Sequence, residues 1–147
     1  MEETRTPQTA VQTIATMETM KSPDAEKKQE DTKMVFCVRN DLKMGKGKIA
    51  AQCGHATVEC TLISLEKQPE LFRYWHEHDQ TKVALRVESL EELEMLEKEA
   101  KKHNLVCAKI IDLGRTQIKP NTVTVLGIGP DTVSKINEVT QHLKLLN

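Results

Sequence analysis

Apolar positions fall into regular order only from Lys33 onward. Met34-Val35-Phe36-Cys37-Val38 is a short continuous apolar run, the pattern of a strand buried on both faces, and Arg39-Asn40-Asp41 ends it. Ile49, Cys53, Ala56, Cys60 and Ile63 then recur at helical period, predicting a helix over residues 47–66 with one apolar seam. Pro69 suits the first turn of a second, short helix anchored by Phe72 and Trp75. Residues 82–88 alternate, with Val83, Leu85 and Val87 on one face, and predict a strand. Ser89-Leu90-Glu91-Glu92 has the form of a capping box. It opens a helix whose stripe is Leu90, Leu93, Leu96 and Ala100, with Asn104 placed to end it in a left-handed turn. Residues 106–112 and 122–128 predict two more strands, the latter with Thr122, Thr124, Leu126 and Ile128 on one face. Pro130-Asp131 is read as the start of a last helix with Val133, Ile136, Val139 and Leu143 inward. The expected fold class is α/β, a three-layer domain with a mixed four-stranded sheet covered by helices on both faces.

Composition narrows the function classes. At 147 residues the chain fits one domain. No apolar run reaches the roughly 18 residues of a membrane span. Phe36, Phe72, Tyr74 and Trp75 are too few for a base-stacking platform. The net charge of -1 hides an asymmetry: residues 1–32 carry seven acids and four bases, whereas the remainder carries 15 acids and 17 bases. Seven threonines and scattered charge leave residues 1–32 little apolar surface, so they are read as a disordered acidic tail. That tail is either a solvated leader or a docking segment for a protein partner. Cys37, Cys53, Cys60 and Cys107 contain no C-x-x-C pair, which suits reduced thiols and a cytoplasmic location. Neither a metal nor an organic cofactor is indicated.

Three segments offer chemistry. Lys43, Lys46 and Lys48 surround Gly45 and Gly47 at the start of the long helix, where unpaired N–H groups and the dipole favour an anion. This is not a Walker loop, because Ile49 stands where Ser or Thr is required. Lys48, Gln52, His55 and Glu59 form a polar row beside the apolar seam, lining a cleft or merely facing solvent. Asp112 ends a buried strand before Gly114, with Lys48 and Arg115 as available cations, or it closes an Asx-turn on its own backbone.

Together these segments resemble the type 2 peptidyl-tRNA hydrolase family. The resemblance is carried by Met34-Val35, by residues 39–53 from Arg39-Asn40-Asp41 through Gln52-Cys53, and by His55-Ala56. It continues through Asp112-Leu113-Gly114-Arg115-Thr116-Gln117-Ile118, residues 124–130, and Thr140 with His142-Leu143-Lys144-Leu145. It spans residues 33–147 and leaves the acidic tail outside. Gly54 and Leu113 depart from the pattern, which has a serine or alanine and an alanine-like residue there.

The resemblance implies hydrolysis of the ester joining a peptide to the 3′ end of tRNA, which frees the tRNA for reuse in translation. It also implies a domain often found as a homodimer. Lys48, Asp112, Thr116 and Thr124 carry over as catalytic or substrate-contacting, with Gln52, His55 and Gln117 as neighbours. The residues suit that chemistry: Asp112, kept ionised by Lys48, orients or deprotonates water, while Thr116 and Thr124 supply hydroxyls. His55 is an alternative base. Lys43, Lys46, Arg39, Arg115 and Lys119 are candidates for the RNA backbone. The competing reading is a non-catalytic adaptor that binds tRNA or a protein through the same surface.

Overall fold

The computed structural model of the chain describes residues 30–114 and 118–147. The chain divides into two units, Met1–Glu30 and Asp31–Asn147. The expected tail lies outside the described residues up to position 29, and the account below concerns the second unit.

The elements run β1 (Thr32–Arg39), a 3-10 turn (Asn40–Leu42), α1 (Lys46–Lys67), α2 (Pro69–Glu77), β2 (Lys82–Val87), α3 (Leu90–Lys102), β3 (Cys107–Asp112), β4 (Thr122–Thr132) and α4 (Val133–Thr140). The sheet order is β2-β1-β4-β3. β1 pairs parallel with β2 and antiparallel with β4, and β4 pairs antiparallel with β3, so the sheet is mixed. Helices cover both faces. Met34, Phe36 and Val38 point to α1 and α2 and pack with Ala56, Cys60, Phe72 and Trp75. Val35 and Cys37 point the other way, into Leu93, Leu96, Ile136 and Val139 of α3 and α4. The continuous apolar run of β1 follows from this central position between two helical layers.

Local signals act as the sequence suggests. Ser89 Oγ accepts the Glu92 N–H at 3.1 Å, and Glu92 Oε2 accepts the Glu88 N–H at 2.9 Å, one residue before the cap. Asn104 takes φ 54° beyond the end of α3. Pro69 occupies the first turn of α2, and the buried Trp75 donates Nε1–H to Thr81 O at 2.9 Å.

Two expectations are corrected. The first is that the last helix does not open at Pro130-Asp131. β4 runs on to Thr132, because Asp131 and Thr132 still pair with Lys33 and Thr32 of β1. α4 starts only at Val133, whose N–H donates to Asp31 O at 2.9 Å, and Leu143 lies beyond its end.

The second is that Thr124 does not share a face with Leu126 and Ile128. Ile110 pairs with Val125 and Ile111 with Val123, which leaves Thr124 as the extra residue of a β-bulge. The bulge turns Thr124 toward α1, where Val125 also packs, while Val123, Leu126 and Ile128 serve the α3–α4 side.

The two sheet borders differ. Along β2, Leu145 bridges Leu85 in antiparallel sense. The Arg86 N–H donates to Lys144 O and the Leu146 N–H to Ala84 O, both at 2.9 Å. The opposite border is the outer edge of β3.

Candidate active site

One cleft of about 1110 Å³ lies between the first half of α1 and β3. Its helical wall is the polar row Lys48, Gln52, His55 and Glu59, so that row borders a cavity instead of merely facing bulk solvent. Its other wall is residues 109–113, with Leu42, Lys43 and Met44 at the end where α1 begins. α1 starts after Gly45 with no side-chain cap and no acidic residue in its first turn. The positive end of its dipole therefore meets Lys46 and Lys48 with no neighbouring carboxylate in that turn to offset it.

At the centre of the cleft Lys48 Nζ meets Asp112 Oδ1 at 3.0 Å. The Asp112 side chain is 6% exposed and that of Lys48 18%, so the carboxylate is the more deeply desolvated partner. A buried carboxylate needs such compensation. Asp112 Oδ1 also accepts the Gly114 N–H at 3.3 Å. The ion pair and the Asx-turn, alternatives in the sequence, thus coexist. The Asn121 N–H donates to Asp112 O at 2.7 Å. Gly114 holds φ 80°, and a Cβ there would stand 2.6 Å from Pro120 Cγ. Only glycine fits a turn closed that tightly.

Behind this pair, Thr124 Oγ1 donates to Gln52 Oε1 at 2.5 Å, and both residues are buried. Gln52 borders the cleft, whereas Thr124 stands behind it. The bond turns the oxygen of the Gln52 amide toward the sheet and leaves its N–H₂ as the group able to serve the cleft.

The other candidates separate clearly. His55 is exposed and borders the cleft one turn beyond Gln52. Lys43 lies at its mouth, while Lys46 is exposed and outside the lining. Arg39 faces elsewhere: it grips Asp41 through Nη2 at 2.6 Å and Nε at 3.1 Å and donates Nη1–H to Val123 O at 3.1 Å. These bonds tie the end of β1 to β4 instead of offering a cation to a ligand. Arg115, Thr116 and Gln117 lie outside the described residues. Lys119 is exposed, and its carbonyl accepts the Thr122 hydroxyl at 2.7 Å.

The cysteines are all free thiols. Burial pushes Cys37 and Cys60 up to about 12 and Cys53 up to about 11. At neutral pH none of these three is the thiolate that nucleophilic catalysis requires.

Sequence reasoning missed the wall made by residues 109–111. Periodicity reports which face a side chain occupies and is silent about which strand edge lies open.

Comparison with known proteins gives concordant results. Residues 32–146 match the family model described as peptidyl-tRNA hydrolase PTH2. A probable peptidyl-tRNA hydrolase 2 of Drosophila melanogaster is 50% identical over 117 residues, covering 80% of this chain and 63% of that protein. A probable peptidyl-tRNA hydrolase 2 of Schizosaccharomyces pombe is 52% identical over 115 residues, 78% of this chain and 56% of the other. A peptidyl-tRNA hydrolase of Methanocaldococcus jannaschii is 45% identical over 114 residues, 78% of this chain and 99% of the archaeal one. The chain thus spans about three-fifths of the two eukaryotic relatives and nearly all of the archaeal one.

Proposed function

The chain belongs to the peptidyl-tRNA hydrolase PTH2 family, and on that premise we propose that it hydrolyses the ester between a peptide and the 3′ end of tRNA. The observation that carries the reading is the Lys48–Asp112 ion pair, 3.0 Å long, at the centre of a cleft that opens beside an uncapped helix N-terminus.

In this reading Asp112 orients the attacking water and takes up its proton as the water oxygen bonds to the ester carbonyl carbon. Lys48 compensates the charge of Asp112. The Gln52 amide, held by Thr124, donates to the carbonyl oxygen as negative charge gathers there. Thr124 is thereby a positioning residue. Collapse of the tetrahedral intermediate breaks the bond from acyl carbon to ribose oxygen. The proton passes to that oxygen, giving a free tRNA hydroxyl and a peptide carboxylate. Lys43, Lys46 and the first N–H groups of α1 receive the phosphates of the tRNA end, a role that makes binding fall with salt. His55 stays exposed on the rim, which favours Asp112 over it as the base.

A cytoplasmic place of action belongs to the same reading, supported by the four free thiols. Among the described residues no helix is long and apolar enough to cross a membrane.

The test is peptide release from peptidyl-tRNA by the full chain and by Asp112→Asn. The wild type is expected to turn over and Asp112→Asn to lose on the order of 10²-fold or more in rate. Equal rates would remove Asp112 from the mechanism. Intact tRNA binding without release by the wild type would favour the adaptor.

A further inference from the structure

We propose that the open edge of β3 docks the peptide part of the substrate as an added parallel strand; this rests on the hydrolase reading above.

The argument begins with the cleft wall. Five consecutive residues, Lys109 to Leu113, border the cleft. Side chains of a strand alternate between faces. Val106, Ala108 and Ile110 pack on the α1 side, whereas Cys107 packs on the α3–α4 side and Lys109 pairs with Glu97 of α3 at 3.7 Å. Consecutive residues of both orientations can line one cleft only where the cleft meets the strand edge itself.

The direction of the main-chain groups follows from the ladder. The Gly129 N–H donates to Val106 O at 2.7 Å, in register with the Cys107–Ile128 pairing. Val106 is therefore in a hydrogen-bonded pair, and Ala108 and Ile110 follow it by alternation. Cys107, Lys109 and Ile111 then turn their N–H and C=O groups outward, away from β4. Among the described residues no main-chain hydrogen bond reaches these outer groups. The border along β2, by contrast, is paired to residues 144–146.

The open edge leads directly to the reacting centre, because its last residue is Asp112. A peptide whose ester carbonyl lies at Asp112 and which runs back along β3 has its carboxyl end beside the carboxyl end of the strand, so the pairing is parallel. At about 3.3 Å per residue the outward groups of Ile111 meet the first or second residue from the ester. Those of Lys109 meet the third or fourth. Recognition through main-chain bonds suits a substrate class defined by its ester and not by its side chains. Ile111 and Leu113, 47% and 76% exposed, add apolar contact beside the first residue.

The experiment uses the full chain and one tRNA charged with the same ester-linked residue, carrying either a single N-acetylated amino acid or a tetrapeptide. A third substrate carries the tetrapeptide N-methylated at its third residue from the ester. The tetrapeptide is expected to show a lower KM than the single residue, and N-methylation to raise KM about two- to tenfold with kcat little changed. Lys109→Pro removes one outward N–H at an edge position where proline is tolerated. It is expected to erase the length advantage, while Lys109→Ala retains it. A KM independent of peptide length and of N-methylation overturns the proposal, and the wild-type measurements decide this even if Lys109→Pro fails to fold. An equal rise in KM for the single-residue and the tetrapeptide substrate in Lys109→Pro also overturns it, because the edge would then serve the RNA or the fold. Absence of turnover on every substrate instead overturns the hydrolase reading, and this inference with it.

Discussion

Gln52 Oε1 and Thr124 Oγ1 lie 2.5 Å apart and join the cleft-lining helix to the bulged residue of β4. The bond is buried on both sides, and removing the hydroxyl takes from the Gln52 oxygen the donor it faces. Thr124→Val keeps the shape and leaves the Gln52 oxygen unsatisfied. A loss of about 1–3 kcal/mol is expected, read as a lower urea midpoint at unchanged slope. Adding Gln52→Leu should recover part of that stability without restoring turnover. A single variant as stable as wild type would show that the bond does not anchor α1.

The two sides of the ion pair should respond unequally. Lys48→Met removes the ammonium from a carboxylate whose side chain is only 6% exposed and is expected to cost about 2–4 kcal/mol. Asp112→Asn leaves an ammonium with greater access to water, 18% exposed, and should cost less. Denaturant unfolding of both variants checks the order. Asp112→Asn as the more destabilised protein would contradict it.

Much of this arrangement is legible in the amino-acid order. The seam of Ile49, Cys53, Ala56, Cys60 and Ile63 gives the buried face of α1, and the capping box gives the start of α3. Lys48 and Asp112 are the cation and the acid that sequence reading brought forward, and the fold brings them together. The bulge was not legible. Thr122 to Leu126 alternates threonine with apolar residues and contains no glycine or proline to mark an extra position. The length of β4 was missed for a related reason: Pro130 reads locally as a helix start, while distant pairing with Thr32 and Lys33 keeps that stretch in the sheet. Both errors concern long-range register, which a local pattern does not encode.

Gly127 is a contact point between sheet and helix. A Cβ there would meet Cys60 Sγ at 2.9 Å and Ala56 Cβ at 3.1 Å. Gly127→Ala is expected to destabilise by about 1–3 kcal/mol through overpacking. Cys60→Ala in the same chain should relieve most of this by removing the sulfur. Thermal unfolding of the single and double variants checks it, and a double variant no more stable than Gly127→Ala would place the strain elsewhere.

Alkaline pH gives a fourth check. Burial, aided by Glu92, pushes the Cys37 thiol from 9.0 up to about 12. Below pH 9 the thiol is protonated in both folded and unfolded chains and adds no pH dependence. Between about pH 9 and 12 the unfolded chain loses that proton while the folded one keeps it, so stability falls as pH rises. The slope from this group approaches about 1.4 kcal/mol per pH unit at most. Urea midpoints of wild type and Cys37→Ala across that interval should diverge in slope. Parallel curves would remove Cys37 as a source of the alkaline loss.

The pairing of residues 144–146 with β2 has a bearing on biosynthesis. Translation delivers this segment after all four strands of the sheet. Until it is delivered, the outer main-chain groups of Ala84 and Arg86 lack the partners that this segment gives them. A chain truncated before residue 144 would therefore, among the described residues, leave main-chain groups open along the border of β2 as well as along that of β3.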